Sequence, residues 1–333
     1  MRAMVLAAGL GTRLRPLTYY VSKPMVPVVD RPIMARIVAL LERHGFEELI
    51  CNLHYFPDPI RDYFGDRLAY SFEEELLGTA GGVRNCREFF GGETFVVISG
   101  DALTDIDLSA LVADHRRKGG VATLAVKEVA DTRRYGVVVH DGEGRVVGFQ
   151  EKPDPAEARS RLGNCGIYVF EPEIFSYFPE RPFVDFAQDV FPALLAAKAP
   201  FYVHPVSGYW NDIGSLEELR RGSFDVIAGK VATDLAVEPN GGGVLVGEGV
   251  ELGEELIVEG EVVVCAGAQI GSATRLTGPL IVGPRARIGE RASLREAVVM
   301  PGAEVPAGGV VVGGIVADGQ TLANPLVYAP SAA

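Results

Sequence analysis

The sequence predicts a Rossmann-like α/β domain of three layers with a mostly parallel, mixed sheet, followed by a left-handed parallel β-helix of hexapeptide repeats. Two observations lead to this fold class. Over roughly the first 230 residues, short apolar runs alternate with segments of helical spacing, which is the order that produces parallel strands joined by right-handed crossovers. From about residue 240 onward, aliphatic residues recur at every sixth position, which is the repeat of a β-helix.

The first element is an apolar run, Met4 to Ala8, which predicts a buried strand that ends in a glycine loop. Glycines allow backbone N–H groups to approach an anion closely, as phosphate-binding loops do. An ordinary strand-to-helix turn would show the same local pattern. The loop and the cations that follow it are Gly9, Gly11, Thr12, Arg13, Arg15 and Lys23.

The next segments continue the alternation of helix and strand. The spacing predicts helices at Ile33 to Gly45, Asp58 to Phe64 and Val83 to Phe90, and strands at Glu48 to Leu53, Leu68 to Phe72 and Thr94 to Ile98. After Val121 the helices become fewer, which indicates added mixed or antiparallel strands. These strands are predicted at Thr123 to Val126, Gly136 to Val139, Val146 to Gln150 and Gly166 to Phe170, with helices again at Phe186 to Ala197 and Leu216 to Ala228.

The six-residue repeat occupies the last part of the chain. Its aliphatic positions are Val246, Leu252, Val258, Val264, Ile270, Leu276, Val282, Ile288, Leu294 and Met300. Each face of a triangular coil takes one hexad, so ten hexads predict about three coils. We therefore predict two domains, residues 1–235 and residues 240–326.

Composition limits the classes of partner. The chain has 333 residues, which is more than one domain of common size needs. Its formal charge of −13 argues against a nucleic-acid-binding face. The first residues are too short an apolar run for a signal peptide, and no later run approaches the roughly 18 apolar residues of a membrane span. Four scattered cysteines suit reduced thiols, so we expect a cytoplasmic protein.

Two aspartates are candidate ligands for Mg²⁺. Asp101 is the last residue of the turn Ser99–Gly100–Asp101, which follows the predicted buried strand. Ligands of open α/β sheets bind at the carboxyl ends of such strands. Asp212 lies in a second turn, and both carboxylates are the hard oxygen donors that Mg²⁺ prefers. Each could equally be a helix cap or a turn aspartate. The sequence leaves open whether the fold brings the two together.

Two further segments carry groups that suit a nucleotide and a sugar. Lys152 follows a strand end, where it can hold a phosphate, and Glu151 can accept hydrogen bonds from hydroxyls. The run from Glu73 to Gly82 joins three glutamates to small residues, against which a flat base could lie. A solvated charged turn and an acidic run before a helix are the structural alternatives.

Seven motifs together resemble a known family. They occur in the order and approximate spacing of the sugar-1-phosphate nucleotidyltransferases, also called nucleoside-diphosphate-sugar pyrophosphorylases. The resemblance covers about residues 1 to 230, and the hexads resemble the β-helix that several members append. The motifs are LAAGLGTRLRPLT, SKPMVPVVDRP, LGTAGG, SGD, EKP, NCGIY and YWNDIGS.

The resemblance implies a role for each matching residue. The catalytic set would be Arg13, Lys23, Asp101, Lys152 and Asp212, with Asp101 and Asp212 holding Mg²⁺. The nucleotide would contact Leu6, Ala8, Gly9, Gly11, Thr12, Arg13, Glu75, Gly78, Thr79, Ala80 and Gly81. The sugar phosphate would contact Gly136, Glu151, Lys152 and Asn164.

The resemblance also implies the reaction, in which a sugar-1-phosphate displaces pyrophosphate from a nucleoside triphosphate. LGTAGG after an acidic run most resembles the mannose-1-phosphate guanylyltransferases, which suggests GTP and mannose-1-phosphate. Glucose-1-phosphate thymidylyl- or uridylyltransfer and a non-catalytic regulatory subunit remain alternatives. An acyltransferase is disfavoured because all five histidines precede the β-helix. A dinucleotide-dependent dehydrogenase is disfavoured because Leu14 stands where a third glycine would. We expect a homo-oligomer formed through the β-helix.

Overall fold

The computed structural model describes residues 1–240, 243–317 and 320–322. These residues form two compact units. The first comprises Met1–Leu10, Val21–Pro24 and Ile37–Trp210, and the second comprises Gly11–Tyr20, Met25–Arg36 and the chain from Asn211 onward. The predicted domain limits, 1–235 and 240–326, stay a prediction. Residues 241–242, 318–319 and 323–326 of the predicted second domain lie outside the described residues.

The secondary structure up to residue 227 alternates as the sequence predicts. Its strands are β1 (Arg2–Leu6), β2 (Pro27–Val28), β3 (Arg31–Pro32), β4 (Glu48–Leu53), β5 (Ala69–Phe72), β6 (Phe95–Ser99), β7 (Leu103–Thr104), β8 (Ala122–Glu128), β9 (Gly136–His140), β10 (Val146–Glu151), β11 (Leu162–Phe170), β12 (Phe201–Pro205) and β13 (Trp210–Asn211). Its α-helices are α1 (Ile33–Arg43), α2 (Pro57–Phe64), α3 (Gly78–Asn85), α4 (Leu108–Lys118), α5 (Phe191–Ala196) and α6 (Leu216–Ile227). Among the helices of the described residues, none has the length and apolar character needed to cross a membrane.

A nine-stranded mixed sheet forms the centre of the first unit. Strand β1 lies between β4 and β6 and pairs with both in parallel, and β5 extends the parallel side beyond β4. The chain therefore runs outward through β4 and β5 and then returns to the opposite side of β1 as β6. Such a reversal is a topological switch point, where ligands of α/β sheets bind at the carboxyl ends of the strands.

The later strands add an antiparallel region, which confirms the predicted mixed sheet. Strand β11 pairs antiparallel with β6, β8 and β9. Strand β10 then extends β9 as an antiparallel neighbour, whereas β12 runs parallel to β8. Aromatic side chains pack behind these strands, with the rings of Phe90 and Phe95 stacked at 3.9 Å between centroids.

One predicted helix was wrong in position, and one helix and five strands of this part of the chain were not predicted. We predicted a helix at Val83 to Phe90, but α3 begins at Gly78 and ends at Asn85, and a 3₁₀ turn follows at Arg87–Phe90. The glycines at 81 and 82 look like helix breakers, yet both lie inside α3. A Cβ would fit tightly at Gly81 and would clash with neighbouring side chains at Gly82. Helix α4 and strands β2, β3, β7, β12 and β13 were not predicted from the sequence.

The second unit contains a stack of parallel strands that confirms the β-helix. Its strands are β14 (Glu238–Pro239), β15 (Val244–Val246), β16 (Glu251–Leu252), β17 (Ile257–Glu259), β18 (Val262–Val264), β19 (Gln269–Ile270), β20 (Arg275–Thr277), β21 (Leu280–Val282), β22 (Arg287–Ile288), β23 (Ser293–Arg295), β24 (Val298–Val299), β25 (Glu304–Val305), β26 (Val310–Val312), β27 (Ile315–Ala317) and β28 (Gln320–Leu322). They form three sheets, and the first parallel strand of each sheet is β15, β16 or β17. The parallel rungs make four successive coils within the described residues, rather than the predicted three.

The strict six-residue register ends before the last predicted position. Val246 pairs with Val264, and Val264 with Val282, so each of these coils takes eighteen residues. Val282, however, pairs with Val299, one residue before the predicted Met300. The corner that contains Glu296, at a φ of 50°, is one residue shorter than the equivalent corner at Gly278 and Pro279. This shortening displaces every later rung and hides the fourth coil from a search for strict hexads.

One face of the β-helix is covered by the unit's own chain. In β21, Leu280 and Val282 face the interior of the coil, so Ile281 faces outward, yet its exposed fraction is 0%. Helix α6 lies against β21, and the Cys265 thiol lies 3.7 Å from the carbonyl oxygen of Val29. Strands buried on both faces read as continuous apolar runs, which explains the sequences of β18 and β21.

A buried ion pair holds several segments of the second unit together. The guanidinium of Arg36 donates to Asp30 at 2.6 Å, to the carbonyl of Val28 at 2.7 Å and to the hydroxyl of Thr233 at 2.8 Å. Burial lowers the pKa of Arg36, and the Asp30 carboxylate opposes that shift. The pair thus ties the hairpin of β2 and β3 to the first turn of α1 and to the segment after α6.

Candidate active site

The switch point of the first unit brings together the ends of three strands. Leu6 at the end of β1 pairs with Asn52 on β4 and with Ser99 on β6. The N–H of Gly100 donates to the carbonyl of Leu6 at 2.8 Å. A Cβ at position 100 would lie 2.7 Å from that same oxygen, so only glycine fits there. Asp101 therefore follows a turn that is held tightly against the strand from which the glycine loop begins.

Lys23 and Asp101 form an ion pair at this edge. The ammonium of Lys23 lies 2.6 Å from a carboxylate oxygen of Asp101. The lysine side chain is 9% exposed and the aspartate side chain is 35% exposed. A buried ammonium beside a half-buried carboxylate presents both a cation for phosphate oxygens and a donor group for a metal.

The predicted base-binding turn is the first turn of α3. Gly78 has a φ of 78°, and a Cβ there would lie 2.5 Å from the carbonyl oxygen of Val184. That carbonyl accepts hydrogen bonds from the N–H groups of Ala80 and Gly81. The hydroxyl of Thr79 donates to Asp185 at 2.9 Å. Gly78 is therefore required by contact with the segment around Val184, and Gly81 packs tightly against the same segment.

The three glutamates before this turn differ in their surroundings. Glu73 is 2% exposed, and its carboxylate accepts from the amide of Asn52 at 2.7 Å and from the N–H of Leu77 at 3.0 Å. Glu75, which we assigned to the edge of the base, is exposed, and its role stays a prediction. The sequence analysis did not single out Asn52 or Glu73. A lone amide at the end of the apolar strand β4 was the available signal for Asn52.

The predicted sugar-phosphate residues lie on three neighbouring strands. Glu151 on β10 pairs with Gly136 on β9, and Gly163 on β11 pairs with Val137 on β9. Asn164, Gly136 and Glu151 therefore follow one another across the sheet. Lys152 is exposed at a φ of 47°, and its ammonium lies 3.0 Å from the Glu151 carboxylate.

The NCGIY segment bulges toward the carboxyl end of β6. The register between β11 and β8 shifts between Asn164 and Tyr168, and the Asn164 amide donates to the Tyr168 hydroxyl at 2.9 Å. Gly166 has a φ of 69°, and a Cβ there would lie 2.5 Å from the Ser99 hydroxyl. This close approach was not predicted, because the predicted strand begins at Gly166, whereas that residue lies inside β11, where a glycine signals close contact.

The second unit carries the other predicted phosphate and metal groups. Gly11 lies in the left-handed region at a φ of 61°, immediately before the 3₁₀ turn Thr12–Leu14. The guanidinium of Arg13 lies 3.7 Å from the carboxylate of Asp212. A Cβ at Gly214 would lie 2.8 Å from Arg13 and 2.9 Å from Asp212. The glycine of the NDIG turn thus makes room for this ion pair.

The remaining predicted residues are divided between the two units. Leu6, Ala8 and Gly9 belong to the first unit, and Thr12 belongs to the second. Asp101 belongs to the first unit and Asp212 to the second, so their joint binding of one cation stays a prediction.

The donor groups fit Mg²⁺ chemically. Asp101 and Asp212 each offer carboxylate oxygens beside a cationic side chain, and Mg²⁺ is commonly held by one or two carboxylates together with substrate phosphates. Within the residues that the structure describes, no three His, Cys, Asp or Glu side chains are grouped so that they could hold a metal ion. A metal site here would therefore need oxygens from the substrate or from water.

Comparisons with known proteins agree with this fold. The family model described as nucleotidyl transferase matches residues 2–228. The chain is similar to a UTP–glucose-1-phosphate uridylyltransferase of Synechocystis, with 36% identity over 323 residues that cover 90% of this chain and 82% of that protein. It is also similar to a mannose-1-phosphate guanylyltransferase of Mycobacterium tuberculosis, with 37% identity over 84% of this chain and 79% of that protein. Among solved structures, HddC of Yersinia pseudotuberculosis complexed with GMP-PN is 27% identical, with a TM-score of 0.58 over 68% of this chain and 99% of HddC.

These matches establish the class of the protein. The chain belongs to the nucleotidyl transferase family. Within that family it is a sugar-1-phosphate nucleotidyltransferase, an enzyme that joins a nucleotidyl group to a sugar-1-phosphate. The resemblance drawn from seven sequence motifs is thereby confirmed.

Proposed function

We propose that the chain transfers a guanylyl group from GTP to mannose-1-phosphate, which yields GDP-mannose and pyrophosphate. The observation that supports this choice is the acidic segment before α3, in which the side chain of Glu75 is exposed. Guanine presents two neighbouring N–H donors on its edge and uracil presents one, so a carboxylate acceptor suits guanine better. The similarity to the M. tuberculosis guanylyltransferase supports the same choice.

A second candidate is uridylyl transfer from UTP to glucose-1-phosphate. The observation in its favour is the similarity to the Synechocystis uridylyltransferase, which covers 90% of this chain.

In either case the chemistry is an in-line displacement. A phosphate oxygen of the sugar-1-phosphate attacks the α-phosphorus of the triphosphate, the bond to the bridging oxygen breaks, and pyrophosphate leaves with that oxygen. The attacking phosphate is already ionised at neutral pH, so no general base is needed. Rate enhancement then comes from alignment and from charge neutralisation.

The chain's own cations would supply much of that neutralisation. Arg13 and Lys23 would hold the triphosphate, and Lys152 would hold the sugar phosphate. Gly136, Glu151 and Asn164 would orient the sugar hydroxyls. Asp101 and Asp212 would hold Mg²⁺, which when bound stabilises negative charge on the transferring and leaving phosphates.

A substrate matrix tests the proposal. GTP, UTP, dTTP, ATP and CTP are each combined with mannose-1-phosphate and with glucose-1-phosphate, and pyrophosphate release is measured. We expect the highest kcat/KM for GTP with mannose-1-phosphate. A preference for UTP with glucose-1-phosphate would replace the first candidate by the second, and no release with any pair would reject both.

We further propose a cytoplasmic homo-oligomer. The four cysteines are free thiols buried in the described chain, which suits a reducing compartment. Ile257 of the β-helix is 44% exposed and Leu252 is 37% exposed, and such apolar side chains on a strand stack favour association. Light scattering of the full chain at several concentrations tests this, and a mass equal to one chain at all concentrations would reject it.

A further inference from the structure

The structure contains a buried hydrogen-bonded relay between the end of β1 and the start of α3. The N–H of Ala7 donates to the amide oxygen of Asn52 at 2.9 Å. The amide nitrogen of Asn52 donates to Glu73 at 2.7 Å, and the N–H of Leu77 donates to the other carboxylate oxygen of Glu73 at 3.0 Å. Asn52 is 3% exposed and Glu73 is 2% exposed, so water does not compete for these groups.

The direction of each hydrogen bond in the relay is determined by its ends. Both ends are backbone N–H groups, which can only donate, so Asn52 must turn its oxygen toward Ala7 and Glu73 must turn an oxygen toward Leu77. The bond between the two side chains then needs one donor and one acceptor. An amide beside a carboxylate meets this condition, whereas two carboxylates would repel each other.

Gly82 leaves the space that the relay occupies. A Cβ at this position would lie 2.6 Å from Glu73 Oε1 and 2.7 Å from Asn52 Nδ2. The second glycine at the end of LGTAGG is therefore explained by contact with these two side chains. No ligand needs to be invoked for it.

We propose that Asn52 and Glu73 are positioning residues that keep the start of the glycine loop and the first turn of α3 in a fixed relation. Ala7 directly precedes Ala8 and Gly9, and Leu77 directly precedes Gly78. The relay thus joins two segments that would hold opposite ends of one nucleotide. This inference rests on the proposed nucleotidyl transfer for its kinetic consequence, but its structural part stands independently.

A swap of the two side-chain types tests the proposal. Asn52→Asp alone places two carboxylates together, and Glu73→Gln alone leaves one donor without its acceptor. The double variant N52D/E73Q restores all three hydrogen bonds with the middle bond reversed. We expect each single variant to raise the KM for the triphosphate about tenfold or more, with the KM for the sugar phosphate changed less than twofold. The double variant should recover most of the loss.

A control and a second readout separate positioning from general destabilisation. Thr123→Val removes another buried hydrogen bond of the same unit, between Thr123 and His115 at 2.8 Å, and should leave the KM for the triphosphate unchanged. Amide hydrogen exchange of the segment around Leu77 should become faster in the single variants and slow again in the double variant.

If the single variants leave both the KM and the exchange at Leu77 unchanged, or the double variant restores neither, the proposal is overturned. If the wild-type chain releases no pyrophosphate with any triphosphate, the proposed function fails. The exchange measurement then decides the relay alone. If the single variants do not fold, Gly82→Ala takes their place. Its Cβ would displace the side chains of Asn52 and Glu73, so we again expect a higher KM for the triphosphate and faster exchange at Leu77.

Discussion

At the scale of single residues, four of the predicted site residues form ion pairs with partners that are far away in sequence. Lys23 and Asp101 form an ion pair across 78 residues, and Arg13 lies beside Asp212. The sequence indicated the two aspartates by their turns and the two cations by their positions in and after the glycine loop, and the family resemblance implied their roles. The sequence could not show that each aspartate lies beside one of the two cations, because such pairings depend on which strand ends the sheet brings together.

The first prediction concerns the carboxylate of Asp101 and its effect on turnover. Asp101→Asn keeps the size of the side chain but removes the charge that would hold Mg²⁺. We expect kcat to fall about 100-fold or more. The protein should stay folded at a somewhat lower thermal unfolding temperature, because the buried ammonium of Lys23 then faces an uncharged amide. Turnover is measured as pyrophosphate release at saturating Mg²⁺.

Asp107→Asn is the matched control for this variant. Asp107 caps helix α4 by accepting from the N–H of Ala110 at 2.9 Å, and asparagine caps helices equally well. Full activity in Asp107→Asn and strong loss in Asp101→Asn are expected. Activity of Asp101→Asn equal to that of the wild type would refute the metal assignment.

At the scale of secondary-structure elements, helix α4 shows how an unpredicted element is held in place. Its last turns carry Asp114, which accepts hydrogen bonds from Lys118 and from His204 on β12, each at 2.8 Å. Lys118 also donates to the carbonyl of Val203 at 2.7 Å. The helix end and the strand are thus joined by one carboxylate, although the sequence analysis missed both elements.

This carboxylate makes stability depend on pH. Burial raises the pKa of Asp114, but hydrogen bonds from Lys118, His204 and Arg117 outweigh it and lower the pKa to about 2. Because the folded-state pKa lies below the unfolded-state value of 3.8, the carboxylate stabilises the fold above that unfolded-state pKa. We expect this contribution, about 2 kcal/mol at pH 7, to be lost progressively between about pH 5 and pH 2.

Denaturant unfolding of Asp114→Asn and of the wild-type protein measures this contribution. The variant should be less stable by about 2 kcal/mol at pH 7, and the difference should shrink as the pH falls toward 3. A difference that stays constant across this range would show that the charge of Asp114 is not the cause.

At the scale of the whole molecule, the β-helix contributes to the stability of the second unit as well as offering exposed faces. The outward side of β21 is buried against α6. A chain cut near residue 235 would therefore expose the side of α6 that lies against β21. Such a chain is a poor test of oligomerisation, because loss of folding would be confused with loss of assembly.

A pair of lysine substitutions tests this packing directly. Ile281→Lys places a charge on the buried outward face of β21, and we expect a loss of about 3 kcal/mol or more in unfolding free energy. Gln269→Lys places the same charge on an exposed face of the β-helix and should change stability by less than about 0.5 kcal/mol. Equal thermal unfolding temperatures for the two variants would contradict the packing of α6 on the β-helix.

The sequence by itself determined most of the longer elements, the mixed α/β sheet and the β-helix, because the spacing of apolar residues is a local property of the chain. It also determined the enzyme class, because seven motifs occur in one order. The tertiary structure alone decided that α3 begins at Gly78, that Glu73 rather than Glu75 is buried, and that the coil shortens at Glu296. These features depend on contacts such as those of Gly82 with Asn52 and Glu73, and contacts between distant segments leave no periodic trace in the sequence.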